Sequence, residues 1–398
     1  LYRNALFIMF NSVAGYGLGV LFIIIIARFY QSADIGFAVT LFSTIAFVAT
    51  LAVLGLGMAL IRYLPETQAV EDRVRLVNAS LTLSGLAALV LAGIFLLVVA
   101  LFGLELSFVL TQPIYLAAIV LGTLAITLGI ILDNAAIGLR RADVQMWRNV
   151  FIGVAKIPIA LLIALTLSSA FGVGRLGVFL AIVLGTGGSA LFAGYWLVPR
   201  VLPGYRPRWE FDFHPLRPMF HFSAGNHVAL SIGAAGGGLL TLMILNVWGS
   251  VASAYFYYAL AGAALLNIIP GATFSSFYAE ASHPNANRHR DERRALALTL
   301  ALLAPAIIIL FVFAHPVLRI LFTTEFADGA FSAFRILVVS SIPAVLGSVL
   351  MTRVRIRKRT LPLIVGAVIG TVVNLGLGYV MLQAYGIDGL AVATVLAT

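Results

Sequence analysis

Long apolar runs alternate with short polar segments along the whole chain of 398 residues. Each run continues for about 20 residues or more, the length that a helix needs to cross the hydrocarbon core of a bilayer. The runs predict about twelve transmembrane helices, at residues 5–27, 35–61, 76–102, 113–139, 146–167, 176–198, 219–247, 252–277, 295–320, 331–351, 361–383 and from 387 onward. Because the strands of membrane β-barrels alternate with period two instead, we expect an all-α polytopic membrane protein.

A polar stretch divides these helices into two sets of six. We predict an N-terminal six-helix bundle over residues 1–201, a cytoplasmic linker over 202–218 and a C-terminal six-helix bundle over 219–398, whose last helix is truncated. Asn11 and Asn226 occupy matching positions in short, similar stretches of the two halves. Because each half holds an even number of helices, we expect two repeats of the same orientation, related by an axis along the membrane normal.

The composition restricts the class of protein further. Hydrophobic residues make up 62% of the chain and charged residues 10%, with a mean hydropathy of +1.07. Soluble domains carry about 25% charged residues, so no sizeable soluble domain fits in this sequence. The absence of cysteine excludes disulfides and thiolate metal sites. Since the motifs of P-loop NTPases, zinc proteases and serine hydrolases are also missing from the sequence, we expect no enzyme activity, no cofactor and no metal.

The basic residues mark one side of the membrane. Twenty of the 25 Lys and Arg residues lie in alternate connections between the predicted helices, and cytoplasmic loops collect such residues. This predicts a cytoplasmic N-terminus in a multi-pass protein of the inner or plasma membrane. The net charge of +10 then reflects topology and contact with anionic membrane lipids, most strongly at residues 353–359, and we expect no binding of nucleic acid.

Three stretches of the sequence carry a family resemblance. They are residues 27–36 (ARFYQSADIG), residues 54–66 (LGLGMALIRYLPE), and Asn374 followed by residues 386–394 (GIDGLAVAT). In these stretches the chain resembles the multidrug/oligosaccharidyl-lipid/polysaccharide (MOP) exporter superfamily, specifically its polysaccharide or O-antigen flippase branch. The resemblance implies a MATE-like fold, with two pseudo-symmetric six-helix bundles around a central cavity.

The same resemblance implies a function. It implies that the chain moves a polyprenyl-(pyro)phosphate-linked oligosaccharide, a precursor of polysaccharide or of lipopolysaccharide O-antigen, from the cytoplasmic to the outer leaflet by alternating access. A polymerase and glycosyltransferases of the same pathway are then the expected partners. A MATE-type cation-coupled exporter of drugs or organic cations is the alternative. A membrane glycosyltransferase or ligase fits less well, because the predicted outer loops are short.

Charged residues inside the predicted helices are candidates for substrate handling, because a charge near the membrane centre costs about 2.5 to 3.5 kcal/mol. Asp133 and Lys156 lie at similar depths, about 10 and 12 Å from the cytoplasmic side, on consecutive antiparallel helices. Two interpretations stay open: an ion pair that joins the helices, or a Lys156 that faces the cavity and attracts pyrophosphate, with Asp133 as its resting partner. An exporter of organic cations needs unpaired intramembrane acids, and Asp133 is the one acid that we place well inside a helix, away from its ends.

Four further residues complete the candidate substrate-binding set. Arg28 ends the first predicted helix and Arg335 lies near the start of the tenth, so each guanidinium either contacts a phosphate or extends to the outer interface. Asn11 and Asn226 either contact sugar hydroxyls or join helices. Our hypothesis is that Lys156 and Arg28 hold the anionic headgroup while the two asparagines contact the sugars.

Overall fold

A computed structural model describes residues 2–102, 105–166, 174–281, 288–356 and 361–398. These residues form helices joined by turns and short irregular segments, with no β-strand among them, so the all-α prediction is confirmed. The chain divides into two compact units. Unit 1 consists of Leu1–Tyr30 and Phe37–Leu242, and unit 2 consists of Gln31–Gly36 and Met243–Thr398. The bundle boundaries that we placed around residues 202–218 stay a prediction.

Unit 1 contains most of the long, regular helices. They are α1 (Tyr2–Phe29), most of α2 (Ser32–Ala52), α3 (Leu56–Glu66), α4 (Val70–Phe102), α5 (Pro113–Gly138), α6 (Ala142–Thr166), α7 (Gly174–Phe192) and the first part of α8 (Arg217–Ala264). The prediction of one continuous helix over 35–61 is wrong, because Leu54 and Gly55 have φ angles of 53° and 72° and separate α2 from α3.

Unit 2 contains the rest of α8 and a series of interrupted helices. They are α9 (Ile268–Ala281), α10 (Arg288–Val312), α11 (Ala314–Leu321), α12 (Thr324–Val339), α13 (Ser341–Ile356) and α14 (Leu361–Ala397). Three helices that we predicted as continuous are broken, at residues 265–267, at Phe313 and at Ser340. At the last break the Ser340 hydroxyl donates a hydrogen bond to the Leu337 carbonyl, a local bond that competes with the helical ladder.

Two kinked helices, α8 and α14, each extend over parts of two predicted transmembrane helices. α8 is interrupted at Gly249, where φ is 85°, and α14 at Gly386, where φ is 62° and ψ is −149°. Glycine suits such positions because other residues rarely adopt positive φ. Thr394 Oγ1 donates a hydrogen bond of 3.3 Å to Asn374 Oδ1, so the two arms of α14 lie side by side. The kinks confirm the predicted ends near residues 247 and 383.

The helices have the length and surface of membrane spans. Nine helical segments of the described residues are long and apolar enough to cross a bilayer. Adding α1 and the second arms of α8 and α14 is consistent with about twelve crossings. Large apolar side chains stay exposed along them, such as Phe102 at 72% and Leu165 at 69%. Because a soluble protein rarely exposes so much apolar surface, the chain is a multi-pass membrane protein.

The segment between α7 and α8 is fastened along α4 within unit 1. Asn78 donates a side-chain hydrogen bond of 3.1 Å to the Arg206 carbonyl, and the Glu210 N–H donates one of 2.9 Å to Thr82 Oγ1. The segment that we predicted as a linker is therefore hydrogen-bonded to α4 at two points.

The length of α4 gives the depth of this segment. α4 has 33 residues and is about 50 Å long, whereas about 20 residues cross the hydrocarbon core. Counted back from Phe102, the core ends near residue 83, next to the hydrogen-bonded Thr82. The exposed rings of Trp209 and Phe211, which stack with centroids 6.5 Å apart, lie on either side of Glu210. We therefore predict that these rings lie at the membrane boundary.

Candidate functional site

A buried ion pair joins α5 to α6 in unit 1. Arg148 Nε and Nη2 donate hydrogen bonds of 2.6 and 2.5 Å to the two carboxylate oxygens of Asp133. Asp133 is 6% exposed and Arg148 is 7% exposed, so water does not screen the pair. This bidentate geometry uses both oxygens of the carboxylate and fixes the plane of the guanidinium.

Two further N–H groups of the guanidinium are also engaged. Arg148 Nη1 donates a hydrogen bond of 3.3 Å to Ser189 Oγ on α7, and Nη2 donates one of 2.9 Å to Asn149 Oδ1. Gly129, one turn before Asp133 on α5, makes room for the group, because a Cβ at that position would lie 2.7 Å from Nη1. Three helices therefore share one polar contact around Arg148.

The turn between α5 and α6 positions Asp133 and Arg148 relative to each other. Arg140 has a φ of 59°, and Arg141 donates hydrogen bonds of 2.9 and 2.8 Å to the Asp143 carboxylate in the first turn of α6. These hydrogen bonds raise the pKa of Arg141 above its usual value. The negative charge of Asp143 also suits a helix N-terminus, so α6 begins at Ala142.

The predicted ion pair between Asp133 and Lys156 is wrong, both as a helix contact and as a resting state of the lysine. We had counted Arg148 with the cytoplasmic connections, although it lies inside the helix that we predicted over 146–167. Because α6 begins at Ala142, Arg148 lies about 9 Å along it and Lys156 about 21 Å. Arg148 lies closer along the chain to the α5–α6 turn and reaches the Asp133 carboxylate first. Its guanidinium then occupies both carboxylate oxygens.

Lys156 lies two turns further along α6 and has a different environment. Its Nζ lies 4.5 Å from the centroid of the Phe22 ring on α1, within the range of a cation–π contact. The side chain is half-buried, and no carboxylate of the described residues forms an ion pair with it. Lys156 is therefore a cation in an apolar helix whose charge is not compensated by a neighbouring acid.

Small residues and one hydrogen bond hold α6 between α1 and α7. A Cβ on Gly153 would lie 2.6 Å from the Leu18 side chain of α1, and one on Gly185 of α7 would lie 3.2 Å from Lys156 Cβ. Glycine at such contacts allows helices in a membrane to approach closely. Tyr30, which follows α1, donates a buried hydrogen bond of 2.6 Å to the backbone carbonyl of Ala160. These contacts fix the position of the lysine.

Of three other predicted site residues, Arg28 is described by the structure, whereas the side chains of Asn11 and Asn226 are not. Arg28 is exposed in the last turn of α1, six residues and about 9 Å along the helix from Phe22, the ring that Lys156 contacts. A cation suits this end of a helix, where the peptide dipoles leave a partial negative charge. The side chains of Asn11 and Asn226 lie outside the described part of the structure, so their contact with sugars stays a prediction.

Arg335 lies in unit 2, on α12, between two aromatic rings. The Arg335 Cζ atom is 4.0 Å from the Phe311 ring centroid and 5.3 Å from that of Phe331. The guanidinium borders an open cavity of about 470 Å³, which Asp388 of α14 also borders. Asp388 belongs to the GIDG stretch of the resemblance, and we had predicted no role for it.

Comparison with known proteins identifies the family and the fold. A family model described as "polysaccharide biosynthesis protein" matches residues 25–331, which is more than half of the chain. No curated protein sequence matches the chain.

Solved structures share the fold at low sequence identity. The lipid II flippase MurJ in an inward closed conformation is 14% identical, with a TM-score of 0.77 over 97% of this chain and 84% of MurJ. An inward-facing MATE family transporter of the MOP superfamily is also 14% identical, with a TM-score of 0.68 over 98% and 94%. A MOP-superfamily transporter from Pyrococcus furiosus, described as having a binding pocket of reversed polarity, is 16% identical, with a TM-score of 0.60 over 100% and 91%. The predicted resemblance to MOP exporters is confirmed.

Proposed function

Because the chain belongs to the polysaccharide biosynthesis protein family and has the fold of MOP-superfamily transporters, we propose that it flips a lipid-linked oligosaccharide across the membrane. The substrate in this proposal is a polyprenyl-(pyro)phosphate-linked oligosaccharide, a precursor of polysaccharide or O-antigen. It moves from the cytoplasmic to the outer leaflet of the plasma membrane by alternating access. The N-terminus is cytoplasmic, and a polymerase and glycosyltransferases of the same pathway supply and consume the substrate.

The observation that carries this proposal is the uncompensated charge of Lys156. The Asp133 carboxylate neutralises Arg148, whereas no acid among the described residues neutralises Lys156, which lies two turns further along α6 and contacts Phe22. Holding an unpaired ammonium in an apolar helix is costly, and a phosphate group of the substrate offsets that cost. The same charge repels an organic cation, which disfavours the drug-exporter alternative.

Each candidate residue has a separate role in the proposal. Lys156 holds the pyrophosphate, and Arg28, about 9 Å along α1 from the lysine's contact with Phe22, binds it at a second position on the path. Asn11 and Asn226 contact the sugars. Asp133 acts only through Arg148, which it positions, and does not touch the substrate. Arg335 has an acidic neighbour at its cavity and takes a different ligand.

A flipping assay with the purified protein tests the assignment. Vesicles contain a fluorescent polyprenyl-pyrophosphate oligosaccharide, and dithionite added outside bleaches only the outer leaflet. We expect Lys156→Ala to slow flipping roughly ten- to hundredfold, since a hydrogen bond to a charged group contributes about 1.5 to 3 kcal/mol. Lys156→Arg retains the charge and should retain most of the rate.

The control is Arg200→Ala, which removes a basic residue of unit 1 at the last position of an apolar span, where it stacks on an exposed tryptophan. It should flip at the wild-type rate. If Lys156→Ala and Arg28→Ala, present at normal levels in the vesicles, also flip at that rate, the proposed headgroup site is wrong. Uptake of an organic cation driven by a proton or sodium gradient would support the exporter instead.

A further inference from the structure

The cavity in unit 2 has the size and the two-part lining of a site for an amphiphile. Its volume of about 470 Å³ lies within the roughly 300 to 1,000 Å³ of small-molecule sites. Ser332, Arg335 and Asp388 contribute polar groups. Along α14 the lining continues from Asp388 through Val392 to Leu396, about 12 Å further on, where it is apolar.

The two charged groups of the cavity lack partners that would compensate them. The rings of Phe311 and Phe331 hold the Arg335 guanidinium, and its buried Nε has no hydrogen-bond partner. Asp388 is half-buried, and within the described residues it accepts no hydrogen bond and forms no ion pair within 4.0 Å, either with Arg335 or with another cation. Both charges therefore face the same cavity without touching each other.

Unpaired charges of opposite sign in one apolar cavity call for a ligand with both charges. We propose that this cavity binds a phospholipid whose headgroup carries a phosphate and a primary ammonium, as phosphatidylethanolamine does. The phosphate accepts hydrogen bonds from Arg335 and the Ser332 hydroxyl, and the ammonium donates to the Asp388 carboxylate. An acyl chain lies against Val392 and Leu396.

The chemistry of the headgroup distinguishes this lipid from its neighbours in the membrane. Phosphatidylglycerol offers a phosphate to Arg335 but leaves Asp388 without a cation. Phosphatidylcholine has the same charges as phosphatidylethanolamine, but its quaternary ammonium has no N–H to donate. The proposal therefore gives an order of affinity, with phosphatidylethanolamine first.

Lipid binding to the full chain tests the proposal. The protein is purified in detergent, stripped of lipid and titrated with each of the three phospholipids, and the bound molecules are counted by native mass spectrometry. We expect one phosphatidylethanolamine to bind most tightly. Arg335→Gln and Asp388→Asn should each weaken it roughly tenfold, the effect of losing one hydrogen bond between charged groups.

Two kinds of variant separate lipid binding from loss of fold. Arg335→Lys and Asp388→Glu keep the charges and should keep most of the affinity. Arg319→Gln removes an exposed arginine of α11 that does not border the cavity and should bind like the wild type. Equal affinity for phosphatidylglycerol, or unchanged binding by Asp388→Asn, would overturn the proposal. So would a strong coupling between Arg335 and Asp388 in the melting temperature of lipid-free protein, because the two residues would then pair directly.

Discussion

Removal of one partner from the buried pair of Asp133 and Arg148 should destabilise the protein strongly. Both side chains are almost fully buried, and two hydrogen bonds of 2.6 and 2.5 Å join them. Without the carboxylate, the guanidinium keeps only its contacts with Ser189 and Asn149, which carry no charge. Breaking such a pair leaves an uncompensated buried charge and costs about 3 to 5 kcal/mol, which we expect for Asp133→Ala.

Replacement of both partners should have a much smaller effect. The double variant Asp133→Leu/Arg148→Met contains no buried charge, and apolar replacement of a buried pair is often neutral or stabilising by about 1 to 4 kcal/mol. Gly129→Ala offers a second way to disturb the pair, because its Cβ would lie 2.7 Å from Arg148 Nη1. It should destabilise the wild type more than the double variant.

The free energy of unfolding is measured by titration with sodium dodecyl sulfate in mixed micelles, followed by circular dichroism. Arg141→Ala is the matched control, because it breaks an ion pair whose arginine side chain is 39% exposed, and such pairs contribute about 0 to 1 kcal/mol. If Asp133→Ala costs no more than this control, the buried pair does not stabilise the fold. If the double variant folds but flips as slowly as Lys156→Ala, the pair handles substrate and its structural role is refuted.

Three further variants test individual contacts. Tyr30→Phe removes a buried hydrogen bond of 2.6 Å and should cost about 0.5 to 1.5 kcal/mol in the same titration; an unchanged free energy would contradict the contact. Gly386→Ala should cost about 1 to 3 kcal/mol, because an alanine adopts the positive φ at the kink of α14 only with strain. In the control Gly366→Ala the added Cβ has no neighbouring atom of the described chain within 4 Å, so this variant should not destabilise the protein. Since the chain has no cysteine, a spin label at Phe211→Cys should be more accessible to oxygen than to a nickel chelate, and one at Arg206→Cys should show the reverse. If the two labels are equally accessible to both reagents, the predicted position of the α7–α8 segment at the membrane boundary is wrong.

The sequence predicted the helical class and the approximate positions of the membrane spans, because long apolar runs are strong signals. The hydropathy pattern did not predict the breaks inside those runs. At Leu54 and Gly55 the backbone adopts positive φ within an unbroken apolar stretch, and at Ser340 a side-chain hydrogen bond ends the helix. Such features depend on local backbone geometry, and an average of hydropathy over about 20 residues does not detect them.

The sequence identified two of the charged residues correctly as intramembrane groups but paired them wrongly. Equal depth on adjacent helices suggested Asp133 and Lys156, but the depth of Lys156 was measured from Arg148, which itself lies inside the helix. Asp143 was the signal for an earlier start, since an acid in the first turn stabilises a helix N-terminus. Measured from Ala142, Arg148 lies about 9 Å along α6 and Lys156 about 21 Å, so Arg148 is the cation at the depth of the Asp133 carboxylate.

The corrected pairing changes which substrate the charges favour. We had expected Asp133 and Lys156 to form a neutral pair and Arg148 to lie at the membrane surface. In that arrangement none of the three residues would discriminate between anionic and cationic substrates. With Arg148 bound to the carboxylate, Asp133 is already occupied, and the lysine remains charged beside Phe22. A group with negative charge offsets that lysine, whereas an organic cation adds to the repulsion. The preference for an anionic headgroup thus follows from the position of one arginine, a residue that contacts no substrate in this account.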